Sequence, residues 1–239
     1  MRLRRRELLG SAASLLIGGT AVGRAQSLPW QPDAGAPPPP IGKEAWAFFE
    51  PSEAAAVEAL VDRLIPPDPE TPGGKGAGCA VYIDRQLAGP YGRQAGLYLS
   101  PPFIKGTKQQ GPQDADGPAV HYRKALAALD QYCRNAKGGP FASLSDADKD
   151  AIIGALESGA AKLDGADGQA FFEFLLKNTQ EGFFADPIYG GNRDMCGWRM
   201  IGYPGARYDY RDWVLRHNER YPHPPVSFMG RPDWNARKT

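Results

Sequence analysis

The chain has 239 residues, of which 42% are apolar and 23% are charged, and this composition predicts one globular domain with tails. Its 29 glycines and 23 prolines indicate long stretches of loop. Outside the first 25 residues the chain carries 23 basic and 26 acidic side chains. This balance argues against a nucleic-acid-binding protein and against one that binds a membrane surface through a polybasic patch.

Residues 1–25 have the features of an export signal. Three arginines, Arg4 to Arg6, precede a weakly hydrophobic run of 15 residues from Leu8 to Val22, and Gly23-Arg24-Ala25 is a small-x-small cleavage site. This pattern predicts a twin-arginine signal peptide. The alternative is an uncleaved membrane anchor, but the run is shorter than the roughly 20 residues that span a bilayer. The sequence therefore predicts a protein that folds before export and resides in the periplasm, where disulfides are allowed.

The first part of the exported chain is predicted to hold two helices between long loops. Residues 26–44, which contain four consecutive prolines at positions 37–40, are predicted to be an extended linker. Ser52 is the predicted N-cap of a helix that Pro66-Pro67 ends; its apolar face comprises Val57, Leu60, Val61, Leu64 and Ile65. Residues 79–87 predict a short helix that Gly89-Pro90 ends. The Gly-, Pro- and Gln-rich stretch 89–117 is predicted to be a functional or interface loop.

The second part contains the clearest helical signal. Pro118 begins a helix that Gly138-Gly139 ends, and its apolar face comprises Tyr122, Ala125, Leu126, Leu129, Tyr132 and Cys133. Ser145 and Asp167 are the predicted N-caps of two further helices, the first with Asp148 in a capping box. With four or five helices and no alternating strand pattern, the predicted fold is mainly α. It is a small irregular helical domain over residues 45–217, followed by an extended Pro-rich tail over residues 218–239.

One acidic stretch has the spacing of a calcium-binding loop. Asp146, Asp148, Asp150, Ile153 and Glu157 fall at positions 1, 3, 5, 8 and 12 of such a loop. However, Ala151 stands where the loop needs Gly, and no helix is predicted before it. The alternative is an acidic helix N-terminus, which the helix dipole favours. The three histidines lack metal-site spacing, and no flavin, haem or nicotinamide motif is present, so no catalytic, cofactor-binding or metal residue is predicted.

Residues 183–213 are unusual in composition. They contain eight of the 25 aromatic residues, five glycines, four Arg and four Asp, but no Ser, Thr, His, Lys or Glu. Aromatic and Arg side chains with few Lys or Glu are typical of the centre of a protein–protein interface. The alternative is an irregular segment of the protein's own core, with glycines at turns and Arg–Asp pairs. Both interpretations make catalysis in this segment improbable, because most nucleophiles and bases are missing.

The same segment carries a family resemblance. The run EGFFADPIYGGNRDMCGWRMIGYPGARYDYRDW, with DPIYGGNRDM as its most specific part, resembles subunit 3 of the gluconate 2-dehydrogenase family. The resemblance extends to FEFLLKNTQEG, HYRKALAALDQYC and GCAVYIDRQLAGPYG, and covers roughly residues 45–215.

The resemblance implies a non-catalytic small subunit without a cofactor of its own. Its partners would be a large FAD subunit of the glucose-methanol-choline type and a multihaem cytochrome c subunit. The complex would oxidise a sugar or sugar acid at the membrane, and the small subunit would support folding and twin-arginine export of the flavin subunit. The expected interface residues are Phe184, Asp186, Tyr189, Asn192, Arg193, Asp194, Trp198, Tyr203, Arg207 and Tyr208. The alternatives are an export chaperone that dissociates after delivery, and a free-standing enzyme with Asp186, Arg193 and Asp194 in its own pocket.

The three cysteines are expected to have different roles. Cys133 lies on the apolar face of its predicted helix and Cys79 opens another helix, so we expect these two to form a disulfide. Cys196 lies in the aromatic segment and is expected to face the flavin subunit, with an interchain disulfide as one form of that contact. Three cysteines allow three internal pairings, so the sequence leaves the connectivity open.

Overall fold

A computed structural model describes residues 46–97, 100–104, 106–110, 115–207 and 210–228. The predicted export signal, the linker up to residue 44 and the last part of the tail lie outside the described residues. Seven α-helices are present in the described part: α1 (Pro51–Leu64), α2 (Gly73–Gly76), α3 (Cys79–Ala88), α4 (Pro118–Lys137), α5 (Asp146–Glu157), α6 (Gly168–Phe184) and α7 (Cys196–Ile201). Five 3-10 turns accompany them: Lys108–Gln110, Phe141–Ser143, Pro187–Tyr189, Arg193–Met195 and Arg211–Trp213. The mainly α prediction is therefore confirmed.

The helices that the sequence did not predict are α2 and α7, which have four and six residues. Both are too short for an amphipathic repeat to be recognised, and both lie in Gly-containing stretches. The start of α1 also differs from the prediction. Its N-cap is Glu50 rather than Ser52, since Glu50 forms a capping box with Glu53, and Pro51 occupies the first helical position.

The ends of the longer helices follow local chemistry. Pro118 begins α4, and Gly138 ends it at φ +79°, a conformation that glycine adopts without strain. The hydroxyl of Ser145 accepts a hydrogen bond from the Asp148 amide, and the Asp167 carboxylate accepts one from the Ala170 amide. Both predicted N-caps are confirmed, so the starts of α5 and α6 could be predicted from the sequence.

The acidic stretch considered as a calcium loop is the first part of α5 itself. Arg63 on α1 binds Asp150 through two hydrogen bonds of 2.5 and 2.7 Å and also contacts Asp146. Lys137 lies 2.6 Å from Asp148. These side chains therefore form ion pairs that link α5 to α1 and α4, in a continuous helix rather than a metal-binding turn.

One hydrophobic core is shared by α1 and α3–α6. Its largest fully buried side chains include Leu60, Ile83, Leu129, Leu156 and Leu175. A polar network crosses it: the Tyr122 hydroxyl donates to Asn178, whose amide donates to Tyr91 and Glu181. These hydrogen bonds offset the cost of burying polar groups between the helices.

A buried carboxylate fixes the chain just before α1. Asp84 on α3 is fully buried and accepts hydrogen bonds of 2.8–2.9 Å from the amides of Ala47, Phe48 and Phe49. The carboxylate also pairs with Arg85. It thereby satisfies three successive amides of a non-helical segment and anchors this segment to the core.

The described residues contain no β-strand; the one isolated bridge joins Gly205 to Val226. Within the same residues, none of the helices is both long and apolar enough to cross a membrane.

Candidate functional site

The aromatic segment, residues 183–213, begins in the last turn of α6, which ends at Phe184, and then folds back over the end of that helix. Three of its residues other than glycine have a left-handed backbone: Asn192 at φ +44°, Asp194 at φ +55° and Met195 at φ +55°. Such conformations are uncommon outside glycine and persist only where surrounding contacts enforce them. In this segment, the contacts that hold the left-handed backbone come largely from Asn192.

Asn192 is fully buried and organises the segment through its side-chain amide. Its Nδ2 donates to the Ala185 carbonyl at 2.8 Å, and its Oδ1 accepts from the Gly197 amide at 2.8 Å. It therefore ties the end of α6 to the start of α7. An Asn side chain suits this position because it carries both a donor and an acceptor and tolerates left-handed φ.

Two glycines allow the segment to pass close to α6. A Cβ at Gly191 would lie 2.1 Å from the Gly182 carbonyl oxygen, and a Cβ at Gly197 would lie 2.2 Å from that of Phe183. Both distances are far shorter than van der Waals contact, so any larger residue would force the backbones apart. Here the glycines serve close approach rather than flexibility.

Trp198 and Tyr203 pack together but differ in exposure. Trp198 is 5% exposed, and its indole Nε1 donates to the Phe184 carbonyl at 2.7 Å. Tyr203 is 45% exposed, its ring meets that of Trp198 edge-on at 5.2 Å, and its amide donates to the Trp198 carbonyl. Trp198 thus belongs to the packing of the segment, and it supports Tyr203 at the surface.

Several large apolar or aromatic side chains of the segment are exposed to solvent. We call this set the aromatic face; its members are 38–58% exposed and comprise Phe184, Tyr189, Met200, Ile201 and Tyr203. Phe184 and Tyr203 flank Trp198, which connects them through its hydrogen bond and its ring contact. The contacts with Trp198 bring Phe184 and Tyr203 together, and neighbouring exposed large apolar side chains are typical of a surface that binds another macromolecule.

Asp186 anchors the chain that returns from the C-terminal side. Its carboxylate accepts from the Ser227 hydroxyl at 2.7 Å, from the Phe228 amide at 2.6 Å and from the Ile188 amide at 3.1 Å. These contacts engage both carboxylate oxygens in structural hydrogen bonds. They favour a role in positioning over the catalytic role considered for Asp186 in a free-standing enzyme.

Arg207 is held differently from the Arg–Asp pairing that the composition suggested. It is 7% exposed; its Nη2 donates to the Pro224 carbonyl at 2.6 Å, and its guanidinium lies 5.3 Å from the centre of the Tyr221 ring. A carbonyl and an aromatic face therefore stabilise this cation. Together with Asp186, Arg207 fixes residues 221–228 against the aromatic segment.

The predicted interface residues divide by exposure. Exposed at the surface are Phe184, Tyr189, Asp194 and Tyr203; half-buried are Asp186 and Arg193; buried are Asn192, Trp198 and Arg207. The three buried residues do not form the surface; they support the exposed residues that do. Tyr208 lies outside the described residues. Met200 and Ile201 were missed. Recognising that this stretch is helical would have placed Met200, two positions after the inward Trp198, on the opposite side of the helix. Ile201 is three positions after Trp198 and shares its side, so helical spacing does not predict its exposure.

The three cysteines are free thiols in this structure. The expected Cys79–Cys133 bond is therefore not seen. Burial raises the pKa of Cys79 to about 12, with a further contribution from nearby Cys196, and burial raises the pKa of Cys133 to about 11. Cys196 and Arg193 influence the pKa of Cys79, whereas Asp130 influences that of Cys133. Protonated thiols of this kind are poor nucleophiles at neutral pH.

Comparison with known families identifies one match. The sequence matches the family described as gluconate 2-dehydrogenase subunit 3 over residues 51–205, which begins at α1 and ends two residues after Tyr203. The match thus covers the helical core, the stretch around Asn192 that connects α6 to α7, and the aromatic face. Comparisons with curated proteins and with solved structures give no match.

Proposed function

Since the chain belongs to the gluconate 2-dehydrogenase subunit 3 family, and so to a multisubunit dehydrogenase complex, we propose that it is the non-catalytic small subunit of that complex. In this proposal it binds a large FAD-dependent dehydrogenase subunit, stabilises it and supports its export. The observation that carries the proposal is the aromatic face, which presents exposed apolar side chains within the region that matches the family.

The chemistry of the aromatic face suits protein contact. Phe, Tyr, Met and Ile supply packing area, and interface anchors are enriched in aromatic side chains held rigidly by their neighbours. Tyr203 meets this condition because the buried Trp198 fixes both its ring and its backbone. A preorganised side chain loses little conformational entropy on binding, which favours affinity.

The proposed location is the periplasm, reached through the twin-arginine signal of residues 1–25. A c-type multihaem cytochrome subunit would complete the complex and attach it to the membrane, while FAD and haem would reside in the partner subunits. The substrate class is a sugar or sugar acid, which the flavin subunit would oxidise.

The interface is tested by co-purification of the chain with the flavin subunit. We expect Tyr203→Ala to weaken the complex by about 2 kcal/mol, or roughly 30-fold in Kd, because an anchor ring is lost. The melting temperature of the isolated chain should change little, since Tyr203 is 45% exposed. Tyr132→Ala, at a partly exposed tyrosine on α4, is the matched control and should leave the affinity unchanged. Equal affinity of Tyr203→Ala and the unaltered chain would refute this assignment of the interface.

The export role is tested separately. Replacing Arg5 and Arg6 by Lys should retain both subunits in the cytoplasm, because a twin-arginine signal requires both guanidinium groups. Arg2→Lys combined with Arg24→Lys changes the same residue type outside the pair and should leave export intact. Arrival of the flavin subunit in the periplasm with the Arg5 and Arg6 variant would contradict co-export.

The chaperone alternative predicts a different composition of the exported complex. A subunit stays bound in a 1:1 ratio after purification from the periplasmic side, whereas a chaperone is absent from the purified complex. Measuring the ratio of the two chains by quantitative mass spectrometry distinguishes the two roles.

A further inference from the structure

A groove of about 590 Å³ lies between the aromatic segment and the chain that returns toward it from residue 220. One wall comes from α7 and the residues after it, including Arg199 and Tyr203, and the other comes from residues 220–225. Tyr203 is also a member of the aromatic face. The groove therefore continues the surface that is proposed to bind the flavin subunit.

The wall formed by residues 220–225 is held in place by contacts on its inner side. The ring of Tyr221 packs edge-on against those of Trp213 at 5.2 Å and His223 at 5.4 Å. The guanidinium of Arg207 donates to the Pro224 carbonyl at 2.6 Å. His223 is thus part of an aromatic wall, and the groove is formed before any partner binds, which reduces the entropy lost on binding.

Two arginines give the groove its charge. Arg199 and Arg220 are exposed, and the guanidinium of neither forms an ion pair or a hydrogen bond in the described part of the chain. By contrast, Arg63, Arg123 and Arg134 in the helical body each pair with a carboxylate. The described lining of the groove contains no Asp or Glu. The two positive charges are therefore not neutralised within the groove.

This combination selects a partner with carboxylates. A guanidinium group binds a carboxylate through two parallel hydrogen bonds, and Arg and Tyr side chains are enriched where proteins bind each other. The rings of Tyr203 and Tyr221 and the prolines between residues 222 and 225 offer apolar surface to the rest of a bound chain. A partner that covers Tyr203 on the aromatic face also reaches the groove, because this residue belongs to both.

We propose that an acidic segment of the flavin subunit occupies this groove, with its carboxylates paired to Arg199 and Arg220. This inference rests on the proposed function and adds to it the charge of the segment that the partner contributes. The aromatic face would supply packing area, while the two arginines would orient the partner and speed its association.

Binding kinetics of the full chain with the flavin subunit test the charge complementarity. Arg199→Gln combined with Arg220→Gln should lower the association rate about fivefold to tenfold in about 50 mM salt, because the attraction between opposite charges is lost. The reduction should become small in about 500 mM salt, where screening already weakens this attraction. Arg134→Gln combined with Lys162→Gln removes the same charge at exposed positions on and beside α4, and should leave the rate nearly unchanged.

The outcomes separate this inference from the proposed function. If the chain does not bind the flavin subunit, both fail. If Tyr203→Ala weakens the complex but the double variant at Arg199 and Arg220 keeps the rate and salt dependence of the unaltered chain, only this inference fails.

Chemical cross-linking identifies the occupant. Arg199→Lys places an amine in the groove, and a carbodiimide joins this amine to a carboxylate in direct contact, forming an amide while the carbodiimide takes up the water. Mass spectrometry of the complex should find position 199 joined to an Asp or Glu of the flavin subunit, whereas the native amine of Lys162 should not be joined to that subunit. A cross-link from position 199 within the chain or to a second copy, or none to the flavin subunit, would overturn the proposal.

Discussion

The helical body, α1 to α6, and the segment from residue 185 to 207 are stabilised by different kinds of contact. The body is held by a continuous apolar core, with helix ends fixed by caps. The segment after α6 has one short helix and depends on hydrogen bonds from Asn192 and Trp198, with close backbone contacts at Gly191 and Gly197. The helices of the body bury most of their large apolar side chains, with Val120 and Phe184 exposed, whereas the segment exposes Tyr189, Met200, Ile201 and Tyr203.

This difference indicates that the body and the segment have different roles. A core made of many dispersion contacts tolerates conservative changes at single positions, because its volume and pattern can be kept. A segment held by a few polar contacts and left-handed residues places a surface accurately but depends on each contact. Under the proposed function, the body is the support and the segment is the part that would contact the partner subunit.

The largest expected effect is at Trp198. Trp198→Ala should lower the free energy of opening the segment by about 3–5 kcal/mol, because it removes a buried ring and a hydrogen bond. Hydrogen exchange at the amides of Gly197 and Tyr203 reports this opening, since both are hydrogen-bonded within the segment. Amides in the middle of α4 should remain protected. Loss of protection in both regions would show that the segment and the body unfold as one unit.

A smaller effect is expected at Asn192. Asn192→Ala should cost about 1–3 kcal/mol, because the Ala185 carbonyl and the Gly197 amide lose their partner inside the protein. Asn192→Gly removes the same hydrogen bonds but relieves the left-handed backbone. Thermal unfolding of the two variants separates the loss of the hydrogen bonds from the strain of the left-handed backbone. The glycine variant should be the more stable of the two. The reverse order would show that the backbone of Asn192 is not strained.

The cysteine of the segment and those of the body should differ in reactivity. Half-buried Cys196, in the segment, should be alkylated first at neutral pH. Buried Cys79, whose pKa burial raises to about 12, should react more slowly by a factor on the order of ten or more. Mass spectrometry of the folded chain during alkylation measures the order. Reaction of Cys79 before Cys196 would contradict the buried position of the Cys79 thiol.

The interchain disulfide at Cys196 stays a prediction that the assembled complex can test. A band at the summed mass of the two subunits on a non-reducing gel should disappear with Cys196→Ser and remain with Cys133→Ser. Absence of the band after free thiols are blocked under oxidising conditions would exclude the bond.

The smallest effect is expected at the surface of the body. Hydrogen bonding to Arg63 lowers the pKa of Asp150 below its model-compound value of 3.8. A carboxylate with a lowered folded pKa contributes stability above its unfolded pKa and loses it as the pH falls through the folded value. Asp150→Asn should therefore reduce stability slightly at neutral pH, and by less at an acidic pH below the lowered pKa of the folded state. Urea unfolding of both proteins at the two pH values measures the difference; a constant difference would exclude the ion pair as its source.

The helical body could be predicted from local sequence patterns. The 3.6-residue spacing of apolar side chains, Pro118 and Gly138 at the ends of α4, and the caps Ser145 and Asp167 act over a few residues and are readable as local patterns. The family resemblance also rested on the sequence, and the match over residues 51–205 confirms it.

The roles of individual residues inside the aromatic segment depend on long-range packing. The sequence does not distinguish which of Trp198, Tyr203, Asn192 and Arg207 are buried and which are exposed. Their burial depends on where the chain crosses α6. Likewise, the surroundings of each cysteine depend on contacts between residues far apart in the chain. Local patterns fix local hydrogen bonds and helix faces, whereas the direction of a side chain in an irregular segment is fixed by the long-range packing of the backbone that carries it.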